Sequence, residues 1–220
     1  MTEVLANEIK LSRTPIRDAL RKLETDGLVT IKPHLGASVK KMELKEFREM
    51  CDLRLALESH AAGLAATNRT DADVNEIQFA LEGMRRLTTK IASLPHDPAL
   101  ISELVREDVR FHIAVMSAAK NDLMKKEILR LHLVNRVVSG PATLDKVSIK
   151  KVDADARRAT VLAKHNDIFG AIVRSDARAA KHEMEFHLQE MIDHNLVLMT
   201  RAETGVVARE LTLEELAYSS

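Results

Sequence analysis

From Glu43 onward, apolar residues recur every three to four positions through almost all of the remaining chain, which is the spacing of amphipathic helices. Cap and breaker residues divide this stretch into six predicted helices, at about 43–67, 71–91, 97–119, 121–138, 153–174 and 176–203. Aromatic residues make up only 3% of the chain, which disfavours a β-rich fold. We therefore predict a mostly α protein that ends in an all-α, antiparallel six-helix bundle.

Residues 1–42 follow a different pattern, with two short helices and then two short strands. The second helix is expected to begin at Ser12 or Thr14 and to end at Asp26-Gly27. Residues 28–32 and 37–40 are expected to pair as a hairpin. The buried stripe of this region is predicted to come from Ile16, Leu20, Leu23 and Leu28. This order of elements is the layout of a winged helix-turn-helix.

Charge is distributed unevenly along the chain. The 33 basic and 33 acidic residues cancel overall, but residues 1–42 carry eight basic and five acidic residues, a net charge of +3. The overall balance excludes a uniformly basic nucleic-acid coat, whereas a local basic patch fits a DNA contact. A helix fits the major groove, and an arginine pairs with guanine or phosphate. From composition alone, a solvated helical face explains the arginines equally well.

The sequence also limits the compartment and the kind of partner. Cys51 is the single cysteine, so no disulfide forms within the chain and a reducing cytoplasm is expected. No apolar run approaches the ~20 residues of a membrane-spanning helix, so no membrane partner is expected.

Nine histidines suggest a metal site in the helical part of the chain. Asp108 and His112 are four residues apart, which places both on one helical face. His165 and His187 lie in apolar stretches of the last two predicted helices. One carboxylate and three imidazoles suit Zn²⁺ best, and also Ni²⁺, Co²⁺, Mn²⁺ or Fe²⁺. The alternative is that these histidines are hydrogen-bonded core residues; His194 is a reserve ligand.

Two groups of motifs resemble one family of bacterial regulators. The segments LSRTPIRDALRKLETDGLV and HLGASV resemble the DNA-reading part of the GntR family. The segments DVRFHIAVMSAAKN, KHNDIFGAI and EFHLQEM resemble the effector-binding FCD domain of its FadR-like branch, and six helices resemble the VanR-type subgroup. The resemblance implies DNA contacts by Arg13, Thr14, Arg17, Arg21 and Gly36.

The same resemblance implies a cytoplasmic homodimer, most often a repressor, that binds operator DNA and a small carboxylic-acid effector. It implies a divalent metal ion on Asp108, His112, His165 and His187. Arg54 and Arg136 are expected near the effector, although a salt bridge between helices is an equally good reading of either. The expected division is a DNA-binding domain at 1–42, an FCD bundle at 43–204 and a tail at 205–220.

Two alternatives remain open from the sequence. Family members normally have one more helix and a short strand before the segment that begins here at Met1, so a loosened DNA-binding region is expected at 1–42. The first alternative is therefore a truncated ligand-sensing dimer that does not bind DNA. The second alternative is a metalloenzyme acting on small organic acids. No H-E-x-x-H, di-iron Glu-x-x-His pair, phosphate loop or nucleophile elbow supports it, so we expect a non-enzyme.

Overall fold

A computed structural model describes residues 2–33, 35–40, 43–94, 97–138 and 151–201. Within these ranges the chain forms eight helices and two strands. In chain order they are α1 Thr2–Ile9, α2 Arg13–Thr25, β1 Val29–Lys32, β2 Gly36–Val39, α3 Leu44–Asn68, α4 Asp71–Ser93, α5 Pro98–Ala118, α6 Asp122–Val138, α7 Lys151–Val173 and α8 Ala177–Arg201. The predicted fold class is confirmed. The predicted breaker Gly140-Pro141 and the tail at 205–220 lie outside the described residues.

The head, residues 1–42, is a pair of short helices followed by a two-stranded antiparallel wing. Gly27 ends α2 with a φ of 79°, a left-handed conformation that favours glycine. The wing pairs Val29 with Val39 and Lys32 with Gly36.

The predicted apolar stripe of the head is only partly buried. Ile16 and Leu28 are buried together with Ala6, but the side chain of Leu23 is 37% exposed, so its assignment to the buried stripe is wrong. Leu23 lies late in α2 on a face that is partly open to solvent, so helical spacing alone does not bury it. Ser12 is the N-cap of α2 as expected, without a side-chain hydrogen bond.

The helices of the body, which we define as residues 43–201, begin at strong local signals. Thr70 caps α4 in a capping box: its hydroxyl accepts from the Asp73 amide at 3.3 Å, and Asp73 Oδ2 accepts from the Thr70 amide at 2.8 Å. Asp97 caps α5 by accepting from the Ala99 amide at 2.9 Å, with Pro98 at the first helical position. These caps fix where the long helices start and therefore which faces turn inward.

The core of the body lies where α3, α4, α5, α7 and α8 meet. Helix α3 packs chiefly against α8, and α4 against α5, while α7 contacts both α4 and α8. Ala62, Ala65 and Ala66 on α3 are fully buried, and such small side chains let the neighbouring helices approach closely. Larger side chains fill the centre, among them Phe111, Ile168, Met184 and Leu188.

None of the helices in the described residues is long and apolar enough to cross a membrane.

Candidate metal centre and nucleic-acid interface

Three histidines from three helices meet in the interior of the body. His112 on α5, His165 on α7 and His187 on α8 are 2%, 0% and 4% exposed. Their ring centroids are 5.3 Å apart for His112 and His165, 5.4 Å for His112 and His187, and 4.5 Å for His165 and His187. One ring nitrogen from each lies within 4.8 Å of the others. We call these residues the imidazole cluster.

The nitrogens of the imidazole cluster are available as ligands. His165 Nδ1 lies 2.7 Å from the Val161 carbonyl oxygen, which only accepts, so Nδ1 carries the proton and Nε2 keeps a free lone pair. His165 Nε2 and His187 Nε2 are buried without a hydrogen-bond partner in the described part of the chain, whereas His112 Nδ1 lies 3.2 Å from Glu58 Oε2. Buried polar atoms rarely lack partners. The orphaned nitrogens therefore fit a divalent cation, which accepts imidazole lone pairs.

Asp108, one turn before His112 on α5, lies beside this cluster. Its Oδ1 is 3.2 Å from His165 Nε2, and its side chain is 32% exposed. As placed, its carboxylate does not belong to the group within 4.8 Å. Asp108 therefore lies at the rim of the three imidazoles.

The surroundings of the imidazole cluster include an aromatic ring and favour a neutral His187. The Phe111 ring contacts His165 edge-on with centroids 4.6 Å apart. Burial, together with the neighbouring His165 and His112, lowers the pKa of His187 well below its ordinary value. The neutral imidazole is the form that binds metal ions. His194, the reserve ligand, is half-buried two turns farther along α8, with its Nε2 unpartnered among the described residues.

A second buried cluster, which the sequence analysis missed, lies on the α3 and α6 side of His112. Glu58 Oε1 accepts from Arg54 Nε at 2.8 Å and lies 3.0 Å from His132 Nε2. Arg54, Glu58 and His132 are 4%, 1% and 7% exposed, and we call them the Glu58 cluster. Burial favours the neutral form of Glu58, but Arg54, His132 and His112 lower its pKa well below the ordinary value. Glu58 is therefore ionised inside the bundle.

The Glu58 cluster changes the interpretation of two residues. His132, for which no partner pattern was evident, is buried, and burial together with Arg54 lowers its pKa. Arg54, expected near an effector, is held by a carboxylate of its own helix and lies 3.3 Å from His132 Nε2. The four-residue spacing of Arg54 and Glu58, which puts both on one face of α3, was the available signal. The Arg136 side chain lies outside the described residues.

The predicted DNA-contacting residues lie on the surface of the head. Arg13, Thr14, Arg17 and Arg21 on α2 are all exposed. The three arginines are spaced by four residues, so they follow one face of the helix over about 12 Å. Arg13 Nη2 forms an ion pair with Glu3 Oε1 at 2.6 Å. Gly36 begins β2 with a φ of 97°, and the neighbouring His34 lies outside the described residues.

A helix pair with an arginine-bearing second helix and a two-stranded wing, joined to a helical bundle with polar side chains inside, defines the ligand-responsive transcription regulators. Comparison with known families agrees with this class. Residues 2–39 match "Bacterial regulatory proteins, gntR family", and residues 49–190 match "FCD domain". The chain belongs to the GntR family of bacterial regulators and carries an FCD domain, as its sequence motifs predict.

Individual relatives span most of the chain. It is similar to the HTH-type transcriptional regulator LutR of Bacillus subtilis, at 28% identity over 210 residues, 87% of this chain and 88% of LutR. It is 27% identical over 181 residues to the HTH-type transcriptional repressor RspR of Escherichia coli, and the aligned segment covers 82% of this chain and 72% of RspR. The solved structure of Escherichia coli McbR/YncC shares the fold, with a TM-score of 0.73 at 20% identity over 91% of this chain and 86% of that one.

The relatives and both families are transcription regulators, so this chain is a DNA-binding transcription regulator with a ligand-binding FCD domain and not an enzyme.

Proposed function

We propose that this regulator is a repressor whose body holds a divalent metal ion and releases operator DNA when a small carboxylic acid binds that ion. The observation that carries the proposal is the group of three buried imidazoles contributed by α5, α7 and α8, in which the Nε2 atoms of His165 and His187 have no hydrogen-bond partner among the described residues. Two of the similar proteins, RspR and a probable D-xylose utilization operon regulator of Paenarthrobacter nicotinovorans, are named as repressors, which supports the sign of regulation.

The residues that would hold the ion are Asp108, His112, His165 and His187. Three nitrogens and one oxygen suit Zn²⁺ best, and also Ni²⁺, Co²⁺, Mn²⁺ or Fe²⁺. When bound, such an ion supplies a positive centre with open positions that an effector carboxylate can occupy. Arg54 and Arg136 are the proposed effector arginines, and Arg54 would reach an effector only by giving up its contact with Glu58.

The ligands come from separate helices, which makes the site suitable for sensing. Contraction or expansion around an effector would shift α5, α7 and α8 relative to one another. The effector acts only through its different affinity for the two arrangements. In a homodimer the shift changes the spacing of the two heads, which must match two half-sites on DNA.

The head supplies the DNA contacts in this proposal. Arg17 and Arg21 point away from the protein and suit base edges or phosphates, and Thr14 and Arg13 lie at the start of the same helix. Arg13 would exchange Glu3 for DNA. Gly36 lets the wing backbone approach the neighbouring groove. The proposed division is DNA binding by residues 1–42, effector binding by 43–204 and a tail at 205–220.

The test is a binding titration of the full chain, purified without chelator, against labelled DNA from upstream of its own gene. A panel of lactate, sugar acids and dicarboxylates is added to metal-loaded protein. We expect at least one acid to weaken DNA binding about 10-fold or more, the usual scale of allosteric coupling. The effect should disappear in His187→Ala and persist in His182→Ala, a matched control at an exposed histidine of the same helix.

The outcomes separate the parts of the proposal. DNA binding that every acid leaves unchanged would contradict the effector mechanism. An equal response with and without metal would contradict the role of the ion. Failure of the full chain to bind any upstream fragment would favour the ligand-sensing dimer that does not bind DNA.

A further inference from the structure

Glu58 is a buried carboxylate outside the proposed ligand set, and its two oxygens have different partners. Oε1 accepts from Arg54 Nε at 2.8 Å and lies 3.0 Å from His132 Nε2. Oε2 lies 3.2 Å from His112 Nδ1. In the described part of the chain, neither Oε2 nor His112 Nδ1 has another hydrogen-bond partner. Glu58 Oε2 and His112 Nδ1 are therefore each other's nearest polar partner among the contacts described.

His112 links the two buried clusters. It belongs to the group formed with His165 and His187, and also to the group formed with Glu58 and His132. Glu58 belongs only to the second group, so its carboxylate is not placed among the nitrogens of His165 and His187. This arrangement places Glu58 behind the ligand, in contact with a ring that reaches the proposed metal position.

The chemistry of the pair decides where the His112 proton lies. Arg54 Nε pairs with Glu58 Oε1 at 2.8 Å, and a carboxylate paired with a guanidinium only accepts hydrogen bonds. The proton of a neutral His112 is therefore on Nδ1, facing Glu58, and the lone pair is on Nε2. His165 is arranged in the same way, since its Nδ1 proton is held by the Val161 carbonyl oxygen.

We propose that Glu58 is a positioning residue for the metal centre: it fixes the tautomer and orientation of His112 from behind, while Arg54 and His132 hold Glu58 in place. This inference rests on the proposed function, since it assumes that His112 binds an ion. A carboxylate behind a metal-binding histidine makes the ring a stronger donor, and losing such a partner typically weakens metal affinity about 10- to 100-fold.

The first measurement is the affinity of the full chain for Co²⁺ and Zn²⁺, with Co²⁺ followed by visible absorption and Zn²⁺ by competition. We expect Glu58→Gln to weaken binding of both ions about 10- to 100-fold. The matched control is Glu127→Gln, which breaks an exposed ion pair within one helix, that of Glu127 with Arg130 at 2.6 Å. The control should bind both ions as the wild type does.

A second variant guards against simple unfolding. Glu58→Gln leaves Arg54 buried without its anion, whereas Arg54→Met with Glu58→Leu removes both charges and replaces them with apolar groups, a change that proteins often tolerate. We expect the double variant to fold, as judged by its helical circular dichroism, and still to bind Co²⁺ and Zn²⁺ at least 10-fold more weakly. Wild-type affinity in this folded variant would overturn the proposal.

The most specific readout is the tautomer of His112, measured by long-range proton–nitrogen correlation on histidine-labelled, Zn²⁺-loaded protein. We expect the proton on Nδ1 and the metal on Nε2; the reverse pattern would overturn the proposal. If the wild type binds no divalent ion, the proposed metal centre itself is contradicted. If the wild type binds metal tightly and Glu58→Gln binds it equally tightly, only the role proposed for Glu58 is contradicted.

Discussion

Arg17 and Arg21 of the head are exposed, whereas His165 of the body has no exposed surface at all. Among the described residues of the head, the buried apolar ones are Ala6, Ile16 and Leu28, while Val4 and Ile9 of α1 are more than half exposed. The body buries a large apolar cluster, and the imidazole cluster and the Glu58 cluster are buried in the same bundle. The comparison shows that the head keeps its α2 arginines exposed, whereas the body buries polar and charged side chains inside a large core.

This difference predicts different sensitivities. A surface of arginines acts through long-range charge, which salt screens. A buried imidazole group acts through coordination and packing, which salt hardly reaches. Changes in the head should therefore alter DNA affinity without altering the stability of the body, and changes at the imidazole cluster should alter both stability and response.

The largest effect is expected from removing the metal. An ion present at about 1,000 times its dissociation constant stabilises the folded state by about 4 kcal/mol, which corresponds to a fall in melting temperature of about 10 °C on chelation for a protein of this size. Differential scanning calorimetry with and without chelator measures the fall. His187→Ala should melt at the same temperature in both conditions, and a chelator effect of wild-type size in this variant would contradict the ligand assignment.

A core truncation should have the next largest effect. Ile168 is fully buried in the central cluster of the body, so Ile168→Ala should lower the free energy of unfolding by about 3 kcal/mol. Ile16→Ala in the head should leave the main unfolding transition near its wild-type position and weaken DNA binding instead. Urea unfolding followed by circular dichroism distinguishes the two. Equal losses in both variants would show that head and body unfold as one unit.

Arg17→Ala should weaken DNA binding by about 1–2 kcal/mol and leave the melting temperature unchanged. The side chain is exposed, so its loss removes a DNA contact and no packing. Anisotropy titrations over a range of salt concentrations separate the two kinds of contact. A phosphate contact lowers the salt slope by about 1, whereas a base contact relaxes specificity at one position of the operator. A matched loss of thermal stability would identify Arg17 as structural.

The smallest effect concerns the cap of α4. Thr70→Ala removes the hydroxyl that accepts from the Asp73 amide and should cost about 1 kcal/mol at neutral pH. Burial raises the pKa of Asp73, but hydrogen bonds from Lys120 and Thr70 outweigh burial and lower this pKa below 3.8. The stabilising contribution of the Asp73 carboxylate is therefore present above pH 3.8 and is lost as the pH falls through the folded-state pKa. The difference between variant and wild type should shrink in acid. A cost that grows as pH falls would contradict the capping role.

The sequence predicted well those features that depend on neighbours in the chain. Thr70 and Pro98 mark the starts of α4 and α5 through local signals, so these two helix boundaries followed from neighbouring residues. The spacing of Asp108 and His112 is local in the same sense. The four proposed ligands as a set rested on resemblance to a family, and their role in holding a metal stays a prediction.

The contact between Glu58 and His132 could not be read from local patterns because the two residues are distant in sequence. Glu58 and His132 are 74 residues apart, on α3 and α6, and their contact depends on how those helices pack. The prediction that Leu23 is buried was wrong for a related reason. Its helical spacing fits a buried stripe, but its exposure depends on whether another element covers that face of α2. Periodicity predicts which face is apolar and leaves open what lies against it.

The most direct test of the imidazole cluster is the metal content of the full chain purified without chelator, measured by elemental analysis together with a Co²⁺ titration. The proposed centre predicts about one divalent ion per chain, retained in His182→Ala and lost in both His112→Ala and His187→Ala. Wild-type protein that contains no ion and shows no Co²⁺ absorption on titration would contradict it, since the buried Nε2 atoms of His165 and His187 would then need another partner.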